Sequence, residues 1–222
     1  MWQTIRSSFL KRHVHAGRYV ALVLSGGYEE AGDQGRFHVQ IGEALFHDRL
    51  EKHLDRFPKA GAVILNLPLP KGCSCKPGIA KVADPDNIVR SAERSRDDAV
   101  ELLISAAKFV KPPSMDWPDE LAEALIHDPS LKLCQWAEER RLAPWTVSRG
   151  FAQVFGITAE AFRARARARR AWKTIQDTAE PLAKIAAHLG FADQSHMTRS
   201  VKQLTGGGPQ EWRTAANRFK TQ

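Results

Sequence analysis

The chain has 222 residues and a formal net charge of +8, and 43% of its residues are hydrophobic, which is enough for two modest domains with buried cores. No apolar run reaches the roughly 20 residues that a membrane span needs, and three cysteines are too few for a disulfide framework. No charged leader followed by an apolar stretch opens the chain, so we expect a cytoplasmic protein without a membrane span.

Residues 1–70 carry short strand patterns. Residues 19–27 form an apolar run that ends in two glycines, which predicts a strand entering a turn. Residues 36–42 alternate apolar and polar side chains, and residues 62–67 form a third apolar run that ends at prolines. Short strands separated by glycines predict an antiparallel β-barrel or sandwich.

Residues 71–115 carry helix signals instead. Asp84, directly before a proline, predicts one helix start, and Asp97 predicts the cap of a second helix. The prolines at 112–113 then interrupt the chain. We therefore expect a helical segment that connects or dimerises its neighbours, followed by a separate domain at 116–222 that contains only helices.

One pattern occurs twice within residues 131–213. Each copy has a short helix, a tight turn and a second helix, which is the helix-turn-helix plan. Ala137 stands 49 residues before Ala186, and Arg149 stands 50 residues before Arg199. Two such units joined by one helix can place two recognition helices in successive turns of the major groove, about 34 Å apart.

Positive charge is concentrated in the same region. Residues 131–222 hold 16 Lys and Arg against 7 Asp and Glu, whereas residues 1–130 hold 17 against 18. Such a distribution suits the neutralisation of DNA phosphates. Between the two copies, alternating arginines and alanines predict a linker helix of about 16 residues, because both are strong helix formers. The candidates for phosphate contact on this helix are Arg163, Arg165 and Arg167.

The outward positions of the two second helices supply the candidate base-reading side chains. Arginine can donate two hydrogen bonds to guanine, and glutamine can pair in the same way with adenine. The predicted DNA-binding set is Trp145, Ser148, Arg149, Gln194, Ser195, His196 and Arg199.

Residues 190–199 and 205–213 closely resemble the carboxy-terminal signature of the AraC family of transcription regulators. Residues 149–151 and 155–158 resemble the first helix-turn-helix of the same family. The resemblance implies that both second helices read promoter DNA through the set named above. Ala143 replaces a frequent serine cap and Gly150 is a weak helix former, so we expect the first reader to be held less rigidly than the second.

The amino-terminal region resembles a cupin domain. His13, His15 and Tyr19 resemble the first cupin motif, with the tyrosine where a metal-binding glutamate is usual, and His53 resembles the histidine of the second motif. The resemblance implies a cupin-like sensory domain at 1–70 with these four residues as its candidate ligand pocket. The three histidines are a set that zinc, iron or nickel accepts. Because the carboxylate is missing, we expect no resident metal and no other cofactor.

These patterns predict an α+β protein of two domains, a cupin-like antiparallel β-barrel and an all-α double helix-turn-helix domain. The predicted function is sequence-specific transcription regulation at promoter half-sites of double-stranded DNA, as activator or repressor, without catalysis. A small-molecule effector would shift the placement or dimerisation of the DNA-binding heads, and homodimer formation is left open. Two alternatives also stay open: a cupin-type metal enzyme fused to a DNA-binding head, and a redox- or alkylation-responsive DNA-binding protein that uses Cys73 and Cys75.

Overall fold

The computed structural model describes residues 2–70, 72–73, 75–114 and 116–220, except for the side chains of the last four of these. The chain divides into two compact units, residues 1–115 and residues 116–222. The first is built around an antiparallel sheet and the described part of the second contains only helices, which confirms the predicted α+β class. None of the helices in the described segments is both long and apolar enough to cross a membrane.

The strands of the amino-terminal unit form one branched antiparallel sheet. They are β1 Trp2–Ile5, β2 Ser8–Val14, β3 Tyr19–Gly32, β4 Gly35–Gln40, β5 Glu43–His47, β6 Lys52–Phe57, β7 Ala62–Pro68, β8 Gly78–Val82 and β9 Ala107–Phe109. One branch has the order β1-β7-β3-β5-β8-β9, and the other has the order β2-β6-β3-β4. Among the described strands the pairing does not close on itself, so the predicted antiparallel β-barrel is an open sheet.

The predicted turn after residue 25 is a bend inside β3 instead. The register with β7 shifts between Val23 and Ser25, and Gly26 adopts a φ of +70°. A Cβ at Gly26 would lie 2.1 Å from the carbonyl oxygen of Gly61, so that only glycine fits. Beyond the bend β3 pairs with β4 and β6, which is how one strand serves both branches.

Residues 71–115 differ from the predicted helical connector because they add two strands to the sheet. β8 pairs with β5, and β9 pairs with β8. The helices α1 (Pro85–Arg94) and α2 (Arg96–Ala106) lie between these strands in sequence, and their buried Ile88 and Leu103 join the apolar core formed by β3, β5 and β7. This segment is therefore part of the amino-terminal unit, which extends past the predicted boundary at residue 70.

The caps of these two helices were predicted with mixed success. Asp84 caps α1 as predicted, because its Oδ1 accepts a hydrogen bond from the backbone N–H of Asn87 at 2.9 Å. The cap of α2 is Ser95 rather than the predicted Asp97. Its Oγ accepts from the backbone N–H of Asp98 at 3.2 Å.

The helices of the carboxy-terminal unit follow the duplicated pattern. They are α3 Trp117–His127, α4 Leu133–Glu139, α5 Pro144–Phe155, α6 Ala159–Asp177, α7 Leu182–His188, α8 Gln194–Thr205 and α9 Pro209–Lys220. Helices α4 and α5 form the first helix-turn-helix, and α7 and α8 form the second. The linker helix α6 has 19 residues rather than about 16, a length of about 28 Å. Its apolar residues Phe162, Trp172 and Ile175 are buried.

Candidate functional sites

The two helix-turn-helix units have the same dimensions. The first helices α4 and α7 have 7 residues each, and the second helices α5 and α8 have 12 each. Both second helices end at a left-handed glycine, Gly156 in one unit and Gly206 in the other. Ala137 and Ala186 are buried at matching places in the first helices, where a small side chain lets two helices approach closely.

Six of the seven predicted DNA-reading residues are exposed on the second helices. They are Trp145, Ser148, Arg149, Gln194, Ser195 and Arg199. Trp145 is 66% exposed although tryptophan is a large apolar residue. Arg149 and Arg199 are each the sixth residue of their helix, and neither guanidinium has a hydrogen-bond or ion-pair partner in the described part of the chain. Both arginines are therefore available to an external acceptor.

His196, the seventh residue of the set, is half-buried and plays a structural part. Its ring lies edge-on to Phe191, with ring centroids 5.3 Å apart. Its backbone N–H donates to Oδ1 of Asp193 at 2.7 Å, which is the cap of α8. The structure thus places His196 at the base of the second helix, with its ring partly occupied by packing.

Among the arginines predicted to touch phosphates, Arg163 and Arg167 are tied to backbone carbonyl groups of the protein itself. Arg163 donates to the carbonyl oxygen of Leu131 at 3.1 Å and to Glu160 at 2.6 Å. Arg167 donates to the carbonyl oxygens of Gly190 at 3.1 Å and Pro129 at 2.8 Å. These bonds connect α6 to the loop before α4 and to the turn of the second helix-turn-helix.

Phosphate contact by the three α6 arginines stays a prediction. For Arg163 and Arg167 it would compete with the internal hydrogen bonds. Arg165 is half-buried on the same helix. The sequence pattern of alternating arginines did not reveal the structural role, because the acceptors are backbone carbonyls distant in sequence.

The first helix-turn-helix has a packing reason for its unusual glycine. A Cβ at Gly150 would lie 2.5 Å from an atom of the Trp117 ring, so the glycine allows α3 to approach α5. Trp117 in turn lies 6.3 Å from Trp136 of α4, over which the Arg140 guanidinium sits at 4.1 Å. The cap of α5 is Ala143, which has no side-chain hydrogen bond to offer.

The second helix-turn-helix and its carboxy-terminal signature are held by polar contacts. Asp193 caps α8, and Gly190 takes the left-handed conformation of the turn at φ +69°. Trp212 Nε1 donates to Thr205 Oγ1 at 2.8 Å, and Arg213 donates to the carbonyl oxygen of Glu180 at 2.6 Å. The signature residues at 205–213 thus close the unit rather than extend its reading surface.

The carboxy-terminal unit is similar to known DNA-binding proteins. Residues 136–215 match a family of helix-turn-helix domains. A stretch of 88 residues is 30% identical to the arabinose operon regulatory proteins of Escherichia coli (strain K12) and Salmonella typhimurium. That stretch is 40% of this chain and 30% and 31% of those two proteins, so the match spans about a third of the curated relatives. The carboxy-terminal unit therefore contains a helix-turn-helix domain of the AraC type.

Two solved structures are also similar to this chain. The carboxy-terminal domain of AraT, a response regulator from Geobacillus stearothermophilus, is 22% identical with a TM-score of 0.41, covering 44% of this chain and 84% of that one. ToxT from Vibrio cholerae O395 is 11% identical with a TM-score of 0.43, covering 96% of this chain and 97% of that one. Such TM-scores are too low to transfer a role to any residue.

The amino-terminal unit has a cavity of about 440 Å³, lined in part by the predicted pocket residues His13, His15, Tyr19 and His53. The His53 ring lies 4.5 Å from the His13 ring and 5.3 Å from the His15 ring, measured between centroids. Tyr19 Oη lies 3.4 Å from His53 Nε2. The structure therefore brings all four residues together at one wall of the cavity.

Two buried residues that the sequence analysis missed adjoin this group. Glu30 lies on β3 beyond its bend, and His47 is the last residue of β5. Glu30 Oε1 lies 3.5 Å from His47 Nδ1 and 3.7 Å from His53 Nδ1. The Tyr19 ring stacks on the His47 ring at 4.2 Å. Neither residue falls in a local motif, since strand pairing alone brings them together.

Burial governs the protonation of this cluster. Desolvation raises the pKa of Glu30 well above its usual range, and the nearby Asp55 and Glu51 raise it further. Desolvation lowers the pKa of His47 well below its usual range and that of His53 to about 3, and neighbouring histidines add to both effects. Both imidazoles are therefore neutral near pH 7 and keep a lone pair.

Four polar atoms of the cluster lack a hydrogen-bond partner in the described structure. They are Glu30 Oε1, His47 Nδ1, His47 Nε2 and His53 Nδ1. A buried polar atom without a partner costs about 1–3 kcal/mol, so four in one place need an explanation. The possible metal-ligand atoms form two overlapping groups, and within each group they lie within 4.8 Å of one another. One group is His13, His15 and His53, and the other is Glu30, His47 and His53.

The geometry at the cysteine pair disfavours the redox alternative. Cys73 and Cys75 are half-buried, and the Arg18 guanidinium donates to both of their backbone carbonyl oxygens. Desolvation and a hydrogen bond with Cys73 raise the pKa of the Cys75 thiol to about 11. A raised pKa lowers the fraction of reactive thiolate, which is the opposite of what a redox sensor needs.

Proposed function

We propose that this chain is a cytoplasmic, sequence-specific DNA-binding transcription regulator that reads promoter DNA with α5 and α8. The observation that carries the proposal is the pair of exposed arginines without partners, Arg149 and Arg199, at equivalent places in an AraC-family unit. An exposed arginine on a recognition helix can donate two hydrogen bonds to a guanine. The proposal assigns no catalytic step to the chain.

Charge supports the same proposal. The excess of Lys and Arg over Asp and Glu belongs entirely to residues 131–222. Neutralisation of phosphates by these side chains releases counterions, which makes binding strong at low salt and weak at high salt. A regulator of this kind would lose affinity for all sequences as salt rises, and would keep its preference among sequences.

We further propose that the cavity of the amino-terminal unit binds a small-molecule effector. Its wall combines the imidazoles of His13 and His15 with apolar side chains such as Leu10 and Ile64, which suits an amphipathic molecule. An effector that favours one conformation of the protein would change DNA affinity by its differential affinity for the two states. Homodimer formation on paired half-sites stays a prediction.

The test of DNA reading is fluorescence anisotropy with DNA from upstream of the chain's own gene and with a scrambled duplex, at several salt concentrations. Arg199→Ala should weaken specific binding by about 1–3 kcal/mol, roughly 5- to 150-fold, and blur the preference at one base pair. Arg94→Ala, which removes the same charge from the exposed face of α1, is the matched control and should change neither quantity.

Two results would contradict the proposal. Equal affinity of the parent protein for the native and scrambled duplexes would mean that it binds DNA without reading sequence. An unchanged sequence preference in both Arg149→Ala and Arg199→Ala would mean that the second helices are not the readers, whatever the total affinity.

A further inference from the structure

The amino-terminal unit contains a cluster that neither DNA binding nor the predicted histidine set explains. Glu30 and His47 are 2% and 1% exposed, and His53 is 2% exposed. They come from three different strands, β3, β5 and β6, and so from both branches of the sheet. A buried carboxyl group that faces two imidazoles, all with unpartnered atoms, is a costly arrangement unless something binds there.

The distances within the cluster are wrong for hydrogen bonds and right for shared ligation. Glu30 Oε1 lies 3.5 Å from His47 Nδ1 and 3.7 Å from His53 Nδ1. Both distances are longer than the roughly 2.7–3.2 Å of a typical N–H···O hydrogen bond. Two ligands held at about 2.0 Å from one tetrahedral ion are separated by about 3.3 Å. Two imidazoles and one carboxylate form a ligand set common to zinc and non-haem iron sites.

We propose that Glu30, His47 and His53 form a buried binding site for one divalent transition-metal ion, bound through Glu30 Oε1 and the two Nδ1 atoms. An ion there gives a partner to three of the four unpartnered atoms. Tyr19 Oη, 3.4 Å from His53 Nε2, then serves as the hydrogen-bond acceptor that orients the His53 ring. The buried Asp55 beside Glu30 adds negative charge that a cation compensates.

This site shares only His53 with the set that the cupin resemblance implies, and the structure favours the buried group. His15 is exposed, so water satisfies its ring, and His13 Nδ1 already lies 3.0 Å from the carbonyl oxygen of Lys11. The carboxylate missing at Tyr19 is supplied by Glu30 from farther along the same strand. The inference concerns the amino-terminal unit alone and holds or fails independently of DNA binding.

The test uses the full chain, freed of metal with a chelator and titrated with Zn²⁺. The parent protein should bind one equivalent, measured by equilibrium dialysis with elemental analysis, and its melting temperature should rise with Zn²⁺ concentration because only the folded state holds the three ligands together. Glu30→Gln and His47→Gln should each lower the Zn²⁺ affinity by about 100-fold or more. His15→Gln, the matched control, should lower it less than about threefold.

A second measurement on the parent protein avoids the risk that a buried variant fails to fold. Long-range proton–nitrogen NMR of the histidine rings should show Zn²⁺-dependent shifts at Nδ1 of His47 and His53, with the His15 ring unchanged. Failure to bind Zn²⁺ stoichiometrically would overturn the proposal. So would ring shifts confined to His13, His15 and His53, or an affinity loss in His15→Gln as large as that in His47→Gln, because either result puts the ion at the exposed group.

Discussion

The two helix-turn-helix units of the carboxy-terminal domain reach the same dimensions by different means. The first has no side-chain cap on α5 and is supported by packing of Trp117 into the space that Gly150 leaves open. In the second unit, Asp193 caps α8, and Arg167 connects the turn to the linker helix. The first unit therefore relies more on apolar packing, and the second relies more on polar contacts.

The largest effect is expected where this packing is broken. Gly150→Ala places a Cβ 2.5 Å from the Trp117 ring, so either helix must move, and the free energy of unfolding should fall by about 1–3 kcal/mol. Urea unfolding followed by tryptophan fluorescence reports mainly on this unit, because five of the six tryptophans lie beyond residue 115.

The control for that change is the same substitution in a Trp117→Leu background. A smaller side chain relieves the clash, so the additional loss caused by Gly150→Ala should shrink there. If the alanine were equally destabilising in both backgrounds, the helix propensity of residue 150 would be the cause, and not its contact with Trp117.

Changes at the helix caps should alter the free energy of unfolding by an intermediate amount, with opposite signs in the two units. Asp193→Ala removes the acceptor for the backbone N–H of His196 and should destabilise the unit by about 1 kcal/mol. Ala143→Ser supplies a cap that α5 lacks and should stabilise it by about 0.5–1 kcal/mol. The measurement is the urea midpoint of both variants. If other contacts already satisfied the first backbone N–H groups of α5, Ala143→Ser would not raise its midpoint.

The smallest effect is expected at the matching turn residues. Arg141 takes a φ of +54° in the first turn, where the second turn has Gly190 at +69°. Arg141→Gly should stabilise the unit by about 0.5 kcal/mol, because relief of left-handed strain slightly exceeds the entropy that glycine loses. Gly190→Ala should destabilise it by about 0.5 kcal/mol, because the same two terms act in reverse. Thermal melts of the two variants would refute this reasoning if both melting temperatures shifted in the same direction.

The duplicated unit could be predicted because its determinants are local. Helical spacing, the turn residues and the 50-residue offset between Arg149 and Arg199 are all visible in the sequence, and the structure keeps them. The packing role of Gly150 could not be predicted, for the opposite reason. Its neighbour Trp117 lies on another helix, and the contact between them is a tertiary one that no local propensity reveals.

The buried cluster of the amino-terminal unit shows more clearly which contacts could not be predicted from the sequence. His13, His15, Tyr19 and His53 could be selected from motif spacing, but Glu30 and His47 could not. They meet because β3 pairs with β5 before its bend, placing Tyr19 opposite His47, and with β6 after it, placing Glu30 opposite Asp55. A shift of one residue in either register would turn these side chains to the other face of the sheet.

The sharing of β3 between the two branches has a consequence for slow motions of the amino-terminal unit. Because the strand pairs on both sides before and after its bend, neither branch can open without loss of hydrogen bonds in the other. Amide protons of residues 20–23 and 29–31 should therefore exchange with solvent only when the whole unit unfolds. Those of the edge strands β1 and β9 should exchange through local fraying, with much lower protection.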